Sequence, residues 1–296
     1  MEKMLRPISP QTILAAVFLL SISLFAVVTL FPSPFYHTLD PASYLVFHNC
    51  AELFGTIVCL SIFGVGWYAF DQSGNRHALF LSTMFLGIGL VGFMHTLSFL
   101  GMPQFVTPNS TNKAIQFWLA FRIYFAAAFL ASAYVYPETR NRWLTKTNLL
   151  LFSVVVSTLA FTAVTYYFPY LPIGFIEGRG LTPFKIFAEY VIIGLFALSF
   201  VAYWSRFSRT KDKQLIFCLS ALVLSIFSEL AFTLYQSAFD TYNMLGHIFE
   251  VGAFYLIYKG VFAASVVYPY ERLGAATFCQ ESCGTRKFLV PYLRGA

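Results

Sequence analysis

Glu177-Gly178-Arg179-Gly180-Leu181-Thr182-Pro183-Phe184-Lys185-Ile186-Phe187-Ala188-Glu189-Tyr190 runs from a glycine-bearing loop into a long apolar segment. Thr182 is a favoured N-cap residue. Pro183 falls at the first helical position, where a missing N–H leaves no bond unmade. The apolar run beyond it is long enough for a membrane-spanning helix, which needs roughly 20 residues. Glu177, Arg179 and Lys185 therefore stand at the mouth of a membrane helix, and Glu189 lies about two turns inside. Charge inside a bilayer is costly and usually functional. The structural alternative is a capped helix with a snorkelling Lys185, or one paired with Glu189.

The whole chain shares this character. It is 58% hydrophobic and 11% charged, with mean hydropathy +0.69. Soluble domains carry about 25% charged residues, so this chain cannot cover a water-facing surface. It is an integral membrane protein. Lys and Arg exceed Asp and Glu, 19 to 13. The basic residues form no patch interleaved with stacking aromatics, which excludes nucleic acid as a partner. Cys50, Cys59 and Cys218 lie in apolar runs and act as small hydrophobes, and Cys279 and Cys283 have no second ligand pair to make a zinc site. The run 11–31 is too long for a signal-peptide core and lacks a small-residue cleavage site, so it is read as a retained helix.

Eight spans are predicted, at 11–31, 43–70, 77–100, 113–136, 147–168, 183–205, 214–236 and 242–266. The second exceeds the bilayer's need and should tilt or protrude. Arg76, Arg140, Arg142, Lys146, Arg206, Arg209, Lys211 and Lys213 fall in alternate loops, on the side of the N-tail and of Arg272. The other side holds little beyond Lys113, Arg179 and Lys185. By the positive-inside rule both termini are cytoplasmic and the loop bearing Glu177 faces outward. The expected fold is an all-α integral membrane bundle of about eight transmembrane helices, regular rather than broken, because proline is nearly absent from the spans.

On this topology the intramembrane polar residues gather at one depth. They are His48, Asn49 and Glu52 on the second span, His95 on the third, and Trp118 and Arg122 on the fourth. The sixth span adds Lys185, Glu189 and Tyr190, the seventh Glu229, Thr233 and Tyr235, and the eighth His247 and Glu250. At 1.5 Å per residue all lie roughly 5 to 18 Å below the outer surface. The inner halves are read as nearly free of charge apart from Lys259. Two ion pairs acting as bundle glue would explain some members, but not the concentration of all of them on one side. A proton or ion path would show ionisable groups at several depths, so binding or sensing is favoured over transport. The expectation is a polar pocket open to the outside above an apolar floor.

Three ligands suit this chemistry. A small polar or cationic molecule would meet the carboxylates, with Trp118, Tyr190 and Tyr235 as walls. A metal would be held by members of the set His48, Glu52, His95, His247 and Glu250, since His48/Glu52 and His247/Glu250 each present two donors on one helix face. A haem would use two histidines from different helices. The sequence names no cofactor, and none at all is equally compatible with it. No phosphate loop, G-x-S-x-G elbow or His-Glu-x-x-His motif occurs, and an intramembrane enzyme using His and Glu is the lesser reading.

The order of motifs resembles a known family. His48-Asn49-x-x-Glu52-Leu53-Phe54, Met94-His95-Thr96-Leu97 and Phe117-Trp118-Leu119-Ala120-x-Arg122 are similar to the third class of bacterial membrane-associated sensor domains, the MASE group. So are Glu177-Gly178-x-Gly180-Leu181-Thr182-x-Phe184-Lys185, Ser228-Glu229-x-x-Phe232-Thr233-x-Tyr235, Gly246-His247-x-Phe249 and Phe254-Tyr255-Leu256-Ile257-Tyr258-Lys259. The resemblance covers spans two to eight. It implies a multi-pass sensory module of the bacterial inner membrane, not itself an enzyme. In relatives it precedes a histidine kinase or a diguanylate cyclase, in two-component or cyclic-di-GMP signalling. A homodimer is expected, beside the lipid bilayer and an unidentified small ligand or ion. The organisation expected is a cytoplasmic N-tail at 1–10, a sensor domain at 11–267 and a short tail at 268–296. That tail lacks the heptads of a signalling helix and has no room for an output domain, which suggests a truncated gene or a stand-alone receptor.

Overall fold

A computed structural model describes residues 9–267, so the predicted tail at 268–296 and most of the predicted N-tail lie outside the described residues. The chain forms α1 (Pro10–Leu30), α2 (Pro32–Phe35), α3 (Pro41–Ser73), α4 (Arg76–Ser98), α5 (Thr111–Ser132), α6 (Lys146–Tyr166), α7 (Pro183–Thr210), α8 (Leu215–Phe232) and α9 (Thr241–Phe262). A π-helical turn, Ala263–Val267, prolongs α9. All except α2 are long and apolar enough to cross a membrane, which gives the eight expected spans.

Local chemistry sets the helix starts. Ser9, Asp40, Asn75, Ser110, Thr145, Thr182 and Asp240 each accept a backbone N–H of the following first turn, and Pro10, Pro41 and Pro183 open three helices. The Thr182–Pro183 start is found as the sequence predicts. The glycine loop before it is a small hairpin of β1 (Phe175–Ile176) and β2 (Gly180–Leu181). Gly178 and Gly180 there adopt φ of 75° and 82°, a region open to glycine but strained for other residues.

Several ends differ from the expected ones. The helix α3 runs to 33 residues, about 50 Å, because nothing breaks it before Gly74, which caps it in the left-handed conformation. The helix α7 continues to Thr210 and carries Arg206 into the bundle, where Nη1 donates to the Val135 carbonyl at 2.9 Å. The helices α5 and α8 stop at Ser132 and Phe232, four residues short, in turns whose amides bond carbonyls of the last helical residues.

Six helices close a ring. The order α3, α4, α5, α7, α8, α9 and back to α3 follows their principal packing contacts. The helix α6 packs outside on α4, and α1 outside on α8. Close approaches tighten the ring: a Cβ on Gly66 would fall 2.4 Å from Ser82, and one on Gly89 2.7 Å from Cys59. Side chains such as Leu19, Leu20, Ile57, Val155 and Val201 stay exposed on the outside, as a lipid-facing surface requires.

Candidate functional site

All six ring helices contribute ionisable side chains to one level, near the end marked by the β-hairpin. In α3, His48 and Glu52 are one turn apart and both buried. Across from them, α4 supplies His95 and α5 supplies Trp118 and Arg122, again one turn apart. Lys185 and Glu189 come from α7, Glu229 from the last turn of α8, and His247 and Glu250 from the first turns of α9. The outer helices α1 and α6 contribute no charged group to this level.

The level divides into two connected halves. In one, Arg122 is fully buried and links two carboxylates: Nε pairs with Glu229 Oε1, and Nη1 lies 3.4 Å from Glu250 Oε1. Its guanidinium also sits 5.2–5.3 Å from the ring centres of Trp118, Phe125 and Phe196, a cation–π cradle. Lys185 pairs with Glu189, whose Oε1 also accepts Trp118 Nε1–H at 3.1 Å. The glue anticipated in the sequence is therefore present.

In the other half, histidines meet carboxylates. His95 Nδ1 lies 2.7 Å from the Ala114 carbonyl, which can only accept, so Nδ1 carries the proton. Its Nε2 faces His48 Nε2 at 3.3 Å. His247 Nδ1 lies 3.0 Å from Glu52 Oε1 and 3.3 Å from Glu250 Oε2. Glu250 thereby joins the two halves. Several buried polar atoms have no hydrogen-bond partner: His48 Nδ1, Arg122 Nη2, Glu189 Oε2 and Glu229 Oε2. Most buried polar atoms in folded proteins are paired, and these four lie in one layer.

Between the halves lies a cavity of about 30 Å³, lined by His48, His95, Trp118, Lys185, Phe232, Tyr235, Asn243 and His247 among others. That volume holds one or two waters. Tyr44, Phe99 and Ala114 form an apolar cluster above it with Phe47, Met102 and Phe239, and Phe99 stacks on His48 at 4.0 Å. Below lies the apolar floor, aromatic in character, where Phe85, Phe121, Phe125, Phe129, Phe196 and Phe254 interlock at 5.2–6.5 Å.

Three residues named from the sequence lie outside this cluster. Tyr190 is 54% exposed on the outer face of α7, because one step along a helix from Glu189 turns the side chain by about 100°. It is not a wall. Thr233 spends its hydroxyl on the Leu230 carbonyl at the end of α8, and Asn49 donates to Met102 Sδ at the rim. The opposite half of the bundle is not as bare as its sequence suggests. His77 Nε2 lies 2.9 Å from Tyr203 Oη, which lies 2.7 Å from Ser132 Oγ, with Arg206 buried nearby. His77 opens the third predicted span beside Arg76, and position alone does not separate it from the loop. Burial of Tyr44 and Phe99 over the cavity carried no sequence signal beyond apolarity.

Two triads have donor atoms that all lie within 4.8 Å of one another, His48–Glu52–His95 and Glu52–His247–Glu250. His48 Nε2 and His95 Nε2 lie 3.3 Å apart, too close to be the two axial ligands on opposite faces of one haem. Neither the curated proteins nor the solved structures contain a match to this chain. The sequence profile of the MASE3 membrane-associated sensor domain matches residues 39–269, from the cap of α3 to just beyond α9, and leaves α1 outside. With eight apolar helices, a six-helix ring and a match over most of its length, the chain belongs to the MASE3 family of membrane-associated sensor domains, a multi-pass sensory input module of a membrane.

Proposed function

We propose that the buried polar layer is the input site of this sensor, that it faces the outside of the bacterial inner membrane, and that α9 carries its state to a cytoplasmic output. One observation carries this reading. The six ring helices bring four carboxylates, two cations and three histidines to one level while leaving buried polar atoms unpartnered. An arrangement built only for stability would pair them or replace them with apolar groups. A signal that supplies the missing partners stabilises one packing of the ring over another, which is how a ligand shifts an equilibrium. The helix α9 holds His247 and Glu250 in its first turns and reaches the far end of the bundle in the π-helical turn, so a change at the layer moves the segment that precedes an output domain. The orientation rests on the alternation of Lys and Arg among the loops. Transport is disfavoured because the aromatic floor interrupts any path of ionisable groups between the layer and His77.

The test is a fusion of residues 1–267 to a reporter histidine kinase. Glu229→Gln and His247→Ala are expected to change output at least several-fold at equal membrane abundance. Wild-type output from both variants would overturn the reading.

A further inference from the structure

The half of the layer built on His48, His95 and Glu52 has the makings of a coordination site. His95 donates Nδ1–H to the Ala114 carbonyl at 2.7 Å, which fixes its tautomer and turns the Nε2 lone pair toward His48. A backbone acceptor on the remote nitrogen is the arrangement that orients metal-ligating histidines. The two Nε2 atoms are 3.3 Å apart. The edge of a tetrahedron with metal–nitrogen bonds of about 2.0–2.1 Å is about 3.3–3.4 Å, so the pair is spaced for a shared ion. A carboxylate oxygen of Glu52 completes the triad within 4.8 Å. Glu52 Oε1 also lies 3.0 Å from His247 Nδ1.

Charge points the same way. Glu52, Glu189, Glu229 and Glu250 face Arg122 and Lys185, and all six are buried. Four carboxylates face two cationic side chains, so the layer favours a bound cation over an anion. The cavity of about 30 Å³ beside the histidines offers a fourth coordination position to a water.

We propose that His48, His95 and Glu52 bind one divalent transition-metal ion of the zinc type, with a fourth position open to the cavity. Mixed imidazole and carboxylate donors suit zinc, cobalt, nickel or iron(II) better than magnesium or calcium, which prefer all-oxygen shells. Three protein ligands and an open position make an exchangeable site rather than a closed structural one. The proposal names the ligand class for the input site described above and rests on that reading only for its biological meaning, since binding is measured without any output domain.

The experiment uses the full chain in detergent or nanodiscs, with Cys279→Ser and Cys283→Ser so that the tail thiols cannot contribute. Chelator-treated protein is titrated with Co²⁺ and Zn²⁺. One Co²⁺ per chain with visible d–d absorption is expected, displaced by Zn²⁺. Glu52→Gln and His95→Gln should each weaken binding at least tenfold, whereas His77→Gln, in the opposite half, should not. X-ray absorption of the zinc-loaded wild type should show two imidazoles and oxygen near 2.0–2.1 Å, a result that stands even where a variant fails to fold. No stoichiometric binding at micromolar metal, binding unchanged in both layer variants, or a shell without imidazole would overturn the proposal. Metal binding combined with unaltered output from the fusion variants would instead leave this site standing and remove the sensory reading.

Discussion

Replacing Arg122 by leucine removes the one cation that touches both Glu229 and Glu250. The side chain is fully buried, so neither carboxylate can recruit bulk water in its place. Breaking a buried ion pair by deleting one partner costs about 3–5 kcal/mol, because a charge is left uncompensated. The cation–π contacts with Trp118, Phe125 and Phe196 are lost as well. Leucine fills part of the space and satisfies nothing, so Arg122→Leu is expected at about 3–5 kcal/mol. Arg122→Lys should recover only part of this, since a single ammonium cannot span the Nε contact to Glu229 and the Nη1 contact to Glu250. The decisive comparison is Arg122→Leu with Glu229→Leu. Removing both partners leaves no orphan charge on that side, so the double variant should be more stable than the sum of the singles by about 2 kcal/mol or more. Reversible unfolding in mixed micelles, followed by tryptophan fluorescence, measures all three. A single-variant cost below about 1 kcal/mol, or strict additivity in the double variant, would refute the buried ion-pair reasoning.

Further outcomes follow from other parts of the ring. A Cβ on Gly246 would lie 2.5 Å from the Phe232 ring, which packs edge-on against Trp118 and His247 at 4.6 and 5.0 Å. Gly246→Ala should therefore destabilise by about 1–3 kcal/mol and change the Trp118 emission, and unchanged fluorescence and melting would contradict the packing. A cysteine replacing Arg179 should react with a membrane-impermeant maleimide added outside intact cells and one replacing Arg142 should not; the reverse pattern would invert the topology. Asp40 caps α3, and hydrogen bonds from the Ser43 side chain and backbone hold its carboxyl below the ordinary carboxylate range. A depressed folded-state pKa contributes stability above about pH 4 that is lost as pH falls through the lowered value. Asp40→Asn should flatten that acid limb of the melting temperature, and an unaltered acid limb would show that the cap does not titrate.

Apolar runs and their polar interruptions revealed the eight spans, because a bilayer demands length and hydrophobicity that no loop here imitates. The shared level of His48, His95, Arg122, Glu189, Glu229 and His247 was legible too, since topology and rise per residue convert sequence position into depth. What sequence could not convey is facing. Spacing says that Trp118 and Arg122 share a side of α5, but not that this side meets Glu189 on α7 and Glu250 on α9. Tyr190 shows the same gap: its depth is right and its direction is wrong. Nor could depth reveal the Phe99–Tyr44 cover, for an apolar lid and an apolar lipid contact read alike. Arg206 reads in sequence as a loop residue beyond the sixth span, yet α7 carries it on and its Nη1 donates to the Val135 carbonyl.

If the polar layer is the input site, its state sets the position of the far end of α9. Spin labels at Ser208, near the end of α7, and Phe262, at the end of α9, are both on exposed positions of the far end of the bundle. The distance distribution between them, measured in nanodiscs for the otherwise wild-type chain and for Glu229→Gln, reads that coupling without knowledge of the signal. A shifted or newly bimodal distribution is expected in the variant. Superimposable distributions, with the variant folded and inserted, would contradict the coupling.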